Sequence, residues 1–187
     1  MPRPSFIEGK SKIAEMIRVN HAGEYGAKRI YEGQIKFAKK IQDKRLYAMM
    51  LAQEQKHLDY FTNELIKRRV KPTILLPFWH VGGYLLGALS SMAGVKFAML
   101  VTQAVEEVIE LHYQQQLLDL NDNMQERDLM TNIEQFKLEE VEHKEIASSF
   151  QQEYATNLQQ AGGGDKGVIS AMIRKICIIA INLSKKI

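Results

Sequence analysis

The stretches EQKH (residues 54–57) and EVEH (residues 140–143) share one frame, Glu-x-x-His. They hold two of the five histidines in a chain of 187 residues. An α-helix turns once every 3.6 residues, so side chains three residues apart lie on one face and can bind a single ion together. One such frame on an amphipathic helix is usually solvated surface, whereas a repeated frame predicts two helices that share a metal site.

Apolar residues recur at helical spacing through most of the chain, and no segment alternates as a half-buried strand does, so an all-α fold is predicted. We expect Asp43 to be the N-cap of the second helix and Pro72 to stop that helix after its basic C-terminal end. The residues NDN at 121–123 predict a turn. The four main helices are expected at about 11–40, 43–69, 96–120 and 126–155.

The chain length fits one domain with a substantial core, and we expect that domain to cover 1–187. The single cysteine, Cys177, excludes an intramolecular disulfide, and no CxxC pair is present for a thiolate-bound metal. The residues MPRPSFIEGKSK at the start lack the features of a signal or transit peptide, so we expect the protein to stay in the cell that makes it. The domain is expected to contain hairpin one at about 11–70, a crossover at 71–95, hairpin two at about 96–157 and a C-terminal apolar segment at 168–187.

Each hairpin brings one more glutamate level with its Glu-x-x-His frame. Residue 40, beside the expected helix break at 41–43, is midway between Glu24 and the first frame, and residue 124 is midway between Glu106 and the second frame. Residues equidistant from the turn of an antiparallel hairpin lie at the same depth. The result is the ligand set of a ferritin-like di-iron carboxylate bundle. The two halves look like an internal duplication of one hairpin.

The candidate ligands are carboxylates and imidazoles, which suit iron or manganese, and the lack of thiolates argues against an iron–sulfur cluster. Glu24 lies among small residues and Glu106 among apolar ones, which favours inward-facing carboxylates with compensating partners. In the second half the spacing leaves a choice open. Glu110 shares a face with Glu106, whereas Glu107 is rotated by about 100°.

Five motifs together resemble the demethoxyubiquinone hydroxylases of ubiquinone biosynthesis, in order and in spacing. They are VNHAGEYGAKRIYEGQ (19–34), EQKHLDYF (54–61), KPTILLPFW (71–79), AVEEVIELHY (104–113) and EEVEHKEI (139–146). The resemblance implies that the pair His112 and Tyr113 fixes the register and selects Glu106 over Glu107. It implies that the iron ligands are Glu24, Glu54, His57, Glu106, Glu140 and His143.

The same resemblance implies that His112 and Tyr113 lie beside the iron site and take part in quinone contact and in electron or proton delivery. Leu111 stands where some relatives have a second histidine. The implied activity is hydroxylation of the ring of a demethoxyubiquinol, with two iron ions, O2 as co-substrate, and NADH or the quinol as reductant. The sequence carries no Rossmann glycine fingerprint, flavin site or rubredoxin cysteines to bind an electron carrier.

The uncharged run at 72–95 is long enough by length alone to span a bilayer. A single span there would separate the two hairpins, and their ligands could not meet. The residues Pro77, Gly82, Gly83 and Gly87 also weaken a straight helix. We therefore expect the run to pack along the bundle and to dip an apolar face into the membrane interface, with Trp79 and Tyr84 as anchors.

The C-terminal segment at 168–187 is expected to lie at the same interface. The protein is thus predicted to be peripheral, on the cytoplasmic face of a bacterial inner membrane or on the matrix face of the inner mitochondrial membrane. Its expected partners are a polyprenylated quinol, the membrane surface and other proteins of ubiquinone biosynthesis, and oligomers are compatible with it. The cations available to anionic headgroups are Arg174, Lys175, Lys185 and Lys186.

The sequence also bears on other function classes. A net charge of +3, with basic residues scattered among carboxylates, gives no nucleic-acid footprint, so no nucleic-acid partner is expected. A ferritin- or rubrerythrin-like iron-binding or peroxide-reducing protein shares the bundle and ligands, but it has no need of a lipid-facing crossover. A membrane-surface scaffold with structural Glu and His residues would purify without stoichiometric iron.

Overall fold

The computed structural model describes residues 6–120, 124–158 and 166–186. Within these ranges the backbone forms six α-helices and one 3-10 turn and contains no strand, which confirms the predicted all-α class. The turn predicted at 121–123 lies outside the described residues. The elements are α1 Phe6–Phe37, α2 Ile41–Arg68, α3 Leu76–Met92, α4 Val95–Leu120, the 3-10 turn Met124–Glu126, α5 Arg127–Leu158 and α6 Lys166–Lys186.

The break between α1 and α2 falls at 38–40, ahead of the predicted break at 41–43. Lys40 occupies the N-cap position in an extended conformation, without a side-chain cap, and Asp43 lies inside the first turn. The prediction of Asp43 as N-cap was therefore wrong. Its carboxylate instead lies near the free N–H groups of the first turn, where negative charge is favourable. At the other end Arg69 adopts a left-handed conformation with φ of 56°, so α2 ends before Pro72 is reached.

The bundle is built from two hairpins, α1 with α2 and α4 with α5. Two apolar clusters each draw side chains from all four helices. On every helix the candidate ligands lie between the residues that contribute to the two clusters, so the polar centre is enclosed by apolar layers on both sides. The first cluster includes Ile17, Phe61, Tyr113 and Ile133, and the second includes Tyr31, Met50, Met99 and Ala147.

The crossover forms a continuous helix, α3, that packs along α1. A Cβ on Gly87 would lie 1.9 Å from Ile30 O, and a Cβ on Gly33 would lie 2.3 Å from Tyr84 O, so this close approach requires glycine at both positions. Pro77 lies in the first turn, where its missing N–H removes no helical hydrogen bond. The run is thus helical despite these residues, and Gly83 and Gly87 serve the contact with α1.

The face of α3 that points away from α1 is apolar and exposed. Phe78 and Leu89 leave 72% and 62% of their surface accessible. The predicted anchors have other partners, since Trp79 lies half-buried beside Gly26 and the Tyr84 ring lies under the Arg29 guanidinium. The exposed stripe of α3 consists of Phe78, Val81, Leu85, Leu89 and Met92, and Ile74, in the turn before the helix, is exposed as well.

One face of α6 packs on α4 and α1, and most of its apolar side chains point outward. Arg174 donates a hydrogen bond to Glu107 at 2.7 Å, so this predicted headgroup cation already has a partner within the protein. Among the described helices α6 alone is long and apolar enough, over 19 residues, to cross a bilayer by length and composition. Its exposed apolar residues include Val168, Met172, Ile176, Ile179 and Leu183.

Candidate metal centre

The structure brings all six candidate ligands together in the middle of the bundle. Two come from single positions on α1 and α4, and four come from the Glu-x-x-His frames on α2 and α5. None is more than 1% exposed. The six are Glu24, Glu54, His57, Glu106, Glu140 and His143.

Their donor atoms form two overlapping groups, and within each group the atoms lie within 4.8 Å of one another. Two carboxylates, Glu54 and Glu140, belong to both groups, as bridging ligands between two metal ions do. We call the remaining pairs position A (Glu24 and His57) and position B (Glu106 and His143).

The ligands fit cations because each of them carries a buried polar atom without a hydrogen-bond partner. Both carboxylate oxygens of Glu54 and of Glu140, and Nδ1 of His57 and of His143, are in this state. His57 Nδ1 lies 3.2 Å from Glu140 Oε1, and His143 Nδ1 lies 3.2 Å from Glu54 Oε1, but neither contact has hydrogen-bond geometry. Buried polar atoms are normally paired, so this set indicates a site shaped for metal ions.

Without cations the cluster holds protons. Burial disfavours the charged form of His57, but its contacts with Glu140 and Glu24 raise its pKa to about 12. In the same way Glu140 and Glu54 overcome burial and raise the pKa of His143 to about 11. Burial also acts against the Glu140 carboxylate, yet the two histidines lower its pKa to about 2. Metal binding must therefore displace protons from the imidazoles.

Each single glutamate accepts a hydrogen bond from a tyrosine of the opposite hairpin. Tyr31 on α1 donates to Glu106 Oε1 at 2.6 Å, and Tyr113 on α4 donates to Glu24. Both tyrosines are 1% exposed. Sequence reasoning missed Tyr31, although it follows Glu24 by the same two helical turns by which Tyr113 follows Glu106. The hydroxyl of Tyr113 thus contacts a candidate ligand.

On the outward side of each imidazole, Nε2 has a protein acceptor. His57 Nε2 lies 2.9 Å from Glu139 Oε2, and His143 Nε2 lies 2.7 Å from Gln53 Oε1. Because both acceptors are oxygens, the neutral rings carry their proton on Nε2 and keep a lone pair on Nδ1 for a metal. No pattern in the sequence points directly to these two acceptors.

His112 lies outside the cluster, in a polar network between α1 and α4. The Gln116 amide donates to His112 Nε2 at 2.7 Å, and Gln116 exchanges two hydrogen bonds with Asn20 at 2.8 and 2.7 Å. Burial, and then the charge of Lys185, lower the pKa of His112 to about 4. The imidazole is therefore neutral near pH 7.

The structure places the alternative glutamates of α4 outside the cluster. Glu107 accepts a hydrogen bond from Arg174, and Glu110 pairs with Lys144 on α5. Both carboxylates are partly exposed, with 28% and 27% of the side chain accessible, whereas Glu106 is buried.

An open cleft of about 450 Å³ lies where the start of α3 meets α1 and α2. Tyr25 Oη lies 2.7 Å from His80 Nδ1 at this cleft, and the buried Nδ1 of His21 has no partner. His21 comes one helical turn before Glu24, so the cleft is next to position A. Sequence reasoning did not single out this histidine, although it lies in the quoted motif VNHAGEYGAKRIYEGQ. The cleft is lined by His21, Tyr25, Leu58, Thr62, Leu76, Pro77 and His80.

Comparison with known proteins gives a consistent result. A family model described as ubiquinone biosynthesis protein COQ7 matches residues 11–184. The match includes every candidate ligand and the cleft.

Three relatives show how far the similarity extends. The "NADPH-dependent 3-demethoxyubiquinone 3-hydroxylase, mitochondrial" of Dictyostelium discoideum is 42% identical over 144 residues, which cover 76% of this chain and 66% of the relative. The protein of the same name from Bos taurus is 36% identical over 180 residues, 95% of this chain and 79% of the relative. The "3-demethoxyubiquinol 3-hydroxylase" of Rhodospirillum rubrum is 38% identical over 176 residues, 94% and 78% of the two chains.

Proposed function

The chain belongs to the ubiquinone biosynthesis protein COQ7 family, and on this basis we propose that it is a di-iron monooxygenase that hydroxylates the ring of a demethoxyubiquinol with O2. Relatives named as 3-demethoxyubiquinone or 3-demethoxyubiquinol hydroxylases support the reaction. The observation that carries the proposal is the buried set of carboxylates and imidazoles whose unpartnered atoms converge on two positions. We propose that the whole chain, 1–187, acts as one domain around this centre.

Two bound iron ions would supply the activation of O2. Glu54 and Glu140 would bridge them, and positions A and B would each add one glutamate and one histidine. The apolar clusters on both sides of the centre exclude water from it. Exclusion of water strengthens every electrostatic contact inside the site.

The tyrosines and His112 have separate roles in this proposal. Tyr31 and Tyr113 hold the carboxylates of Glu106 and Glu24 by donating their hydroxyl protons. His112 is neutral near pH 7 and its Nε2 accepts the hydrogen bond from Gln116, so Nδ1 carries the proton and can donate a hydrogen bond to a quinol oxygen. Reducing equivalents would come from NADH, from NADPH as in the names of two of the relatives, or from the quinol.

We propose that a polyprenylated quinol reaches the centre from a membrane surface that covers the α3 stripe and the outward face of α6. Both surfaces are apolar and exposed, and the lining of the cleft next to position A includes Pro77, immediately before the exposed Phe78. Side chains of this kind partition into the interface between headgroups and acyl chains. The protein would then be peripheral, on the cytoplasmic face of a bacterial inner membrane or on the matrix face of a mitochondrial one.

The reaction is tested with purified, iron-loaded protein, a chemically reduced demethoxyubiquinol and 18O2. We expect one labelled oxygen atom in the ring hydroxyl of the product, detected by mass spectrometry. Glu140→Gln should abolish the labelled product, and the control Glu142→Gln, an exposed carboxylate on the same helix, should leave it unchanged. Iron oxidation or peroxide consumption without a labelled quinol would refute the proposal and favour the ferritin-like alternative.

A further inference from the structure

We propose that the two metal positions differ in affinity and that position A binds the first ion. The reason is that a charged carboxylate accepts the outward N–H of His57, whereas a neutral amide accepts that of His143. This inference rests on the proposed function, because it concerns the same pair of metal positions.

The two outward contacts are reciprocal. Gln53 precedes the bridging Glu54 and reaches from α2 to His143, and Glu139 precedes the bridging Glu140 and reaches from α5 to His57. The two acceptors therefore occupy the same place in the duplicated frame. They have nearly the same shape, and they differ in that one side chain is charged.

The other surroundings of the two histidines are closely matched. Both rings are fully buried, and both positions use the same two bridging carboxylates. An aromatic ring contacts each imidazole, Phe136 against His57 and Tyr31 against His143. The charge of Glu139 is thus the clearest difference between position A and position B.

Glu139 is held in place to act on His57. Its Oε1 accepts a hydrogen bond from Gln135, one helical turn earlier, at 2.9 Å, which leaves Oε2 for His57 Nε2. Only 20% of the Glu139 side chain is exposed. The carboxylate is therefore fixed at a partly buried site, where screening by solvent is weaker than at the surface.

A carboxylate acceptor strengthens a histidine ligand in two ways. A hydrogen bond to a charged acceptor is roughly twice as strong as one to a neutral acceptor, and it pushes electron density toward the metal-binding nitrogen. The negative charge also attracts the cation directly. Loss of such an outer partner typically lowers metal affinity by about 10- to 100-fold.

The test is an anaerobic titration of the metal-free full chain with ferrous iron, in which calorimetry measures the affinity of each binding step. Because the two positions share bridging carboxylates, the first and second ions would bind with different affinities even in a symmetric site. The wild-type titration alone therefore does not show which position fills first, and the variants are needed. Glu139→Gln should weaken the first step about tenfold. Gln53→Glu should mainly strengthen the second step, by several-fold. The control Glu142→Gln removes the same charge from an exposed position on α5 and should change neither step.

The inference is overturned if Glu139→Gln weakens the second step instead of the first, or if both exchanges leave both steps unchanged. Both substitutions keep side-chain shape, and circular dichroism verifies the helices. If one variant does not fold, the other decides alone. A wild-type protein that binds fewer than two ferrous ions refutes the proposed di-iron function itself. If the wild type binds two ferrous ions but the variants do not change the steps as expected, only the order of binding is refuted.

Discussion

The first half of the bundle, α1 and α2, and the second half, α4 and α5, carry the same chemistry at matching places. Each half supplies a glutamate, a tyrosine two turns later and a glutamine beyond it, and the tyrosine bonds to the glutamate of the other half. The glutamines also reach across, to Thr102 and to Asn20. The matched pairs are Asn20 and Thr102, Glu24 and Glu106, Tyr31 and Tyr113, and Gln34 and Gln116.

The halves differ in the residue that precedes the tyrosine. The Ile30 side chain in the first half is buried among apolar side chains of α4 and α6, with its backbone against Gly87 of α3. His112 in the second half is a half-buried imidazole near Lys185 of α6. An apolar residue thus satisfies the packing at the equivalent place, so the bundle does not require a histidine there. The shared residues surround the candidate metal centre, and the differing residue, His112, is the one for which we propose a role in substrate contact.

The largest effect is expected when the shared centre is broken. His57→Ala or Glu140→Ala should lower iron occupancy and reduce turnover by at least about 10³-fold, because O2 activation needs both ions. The helices should remain, since removal of a ligand carboxylate also removes a buried charge. Metal analysis, circular dichroism and the labelled-oxygen assay measure the three quantities. Full iron content with normal turnover in the Glu140→Ala protein contradicts the assignment.

A second comparison concerns α3 and α6, which cover different faces of the bundle. Phe78→Asp and Leu85→Asp on α3 should each weaken binding to phospholipid vesicles by about 2 to 3 kcal/mol if they lie deep, and by less near the headgroups. Met172→Asp and Ile179→Asp test α6 in the same flotation assay, and Leu138→Asp, exposed on α5, is the control. Turnover of a long-tailed quinol should fall more than that of a short soluble analogue. If both pairs of variants float with vesicles as the wild type does, the proposed membrane attachment is contradicted.

His112→Ile makes the second half match the first and sharpens the contrast between them. Iron content and helicity should stay near those of the wild type, because Ile30 packs at the equivalent place. Turnover should fall about tenfold, the size expected for the loss of one hydrogen bond to the substrate. An unchanged rate would show that the histidine is only a packing residue.

The paired tyrosines allow a matched test of the two terminal glutamates. Tyr31→Phe and Tyr113→Phe each delete one hydroxyl that donates to a carboxylate, so each should weaken ferrous binding by about tenfold. At saturating iron, turnover of the two variants should be similar if both tyrosines only position ligands. A markedly lower rate for Tyr113→Phe alone would show that this residue also serves the substrate.

The smallest expected effect is on pH dependence. In the metal-free protein the carboxylates raise the pKa of His57 to about 12 and that of His143 to about 11, so both imidazoles are protonated at pH 7. Metal binding must release these protons, and ferrous affinity should therefore rise as the pH increases from 6 to 8. Calorimetry in buffers of different ionisation enthalpy counts the protons released. Affinity that is independent of pH would contradict the raised pKa values.

Much of this architecture follows from local pattern. Helical periodicity predicted the all-α class, and spacing from the hairpin breaks pointed to Glu24 and Glu106 as partners of the two frames. The buried tyrosine at position 31 was also within reach, since the duplication repeats its spacing. The start of α2 was not predictable, because an Asp at the N-cap and an Asp in the first turn give similar sequence signals.

Other features depend on tertiary contacts that periodicity does not encode. Glycines on one face of α3 allow that face to pack closely on α1, and the opposite face is therefore exposed. As a result Phe78 is exposed, whereas Trp79 is half-buried. The pairing of Gln53 and Glu139 with the opposite histidines arises only when α2 and α5 meet.

The central claim is that both halves hold one shared pair of ions, and magnetic coupling tests it most directly. The chain is loaded anaerobically with 57Fe, oxidised, and studied by Mössbauer spectroscopy in an applied field. We expect two irons per chain with a diamagnetic ground state, because bridging by Glu54 and Glu140 couples their spins. Two magnetically independent ferric ions, or one iron per chain, would contradict the account.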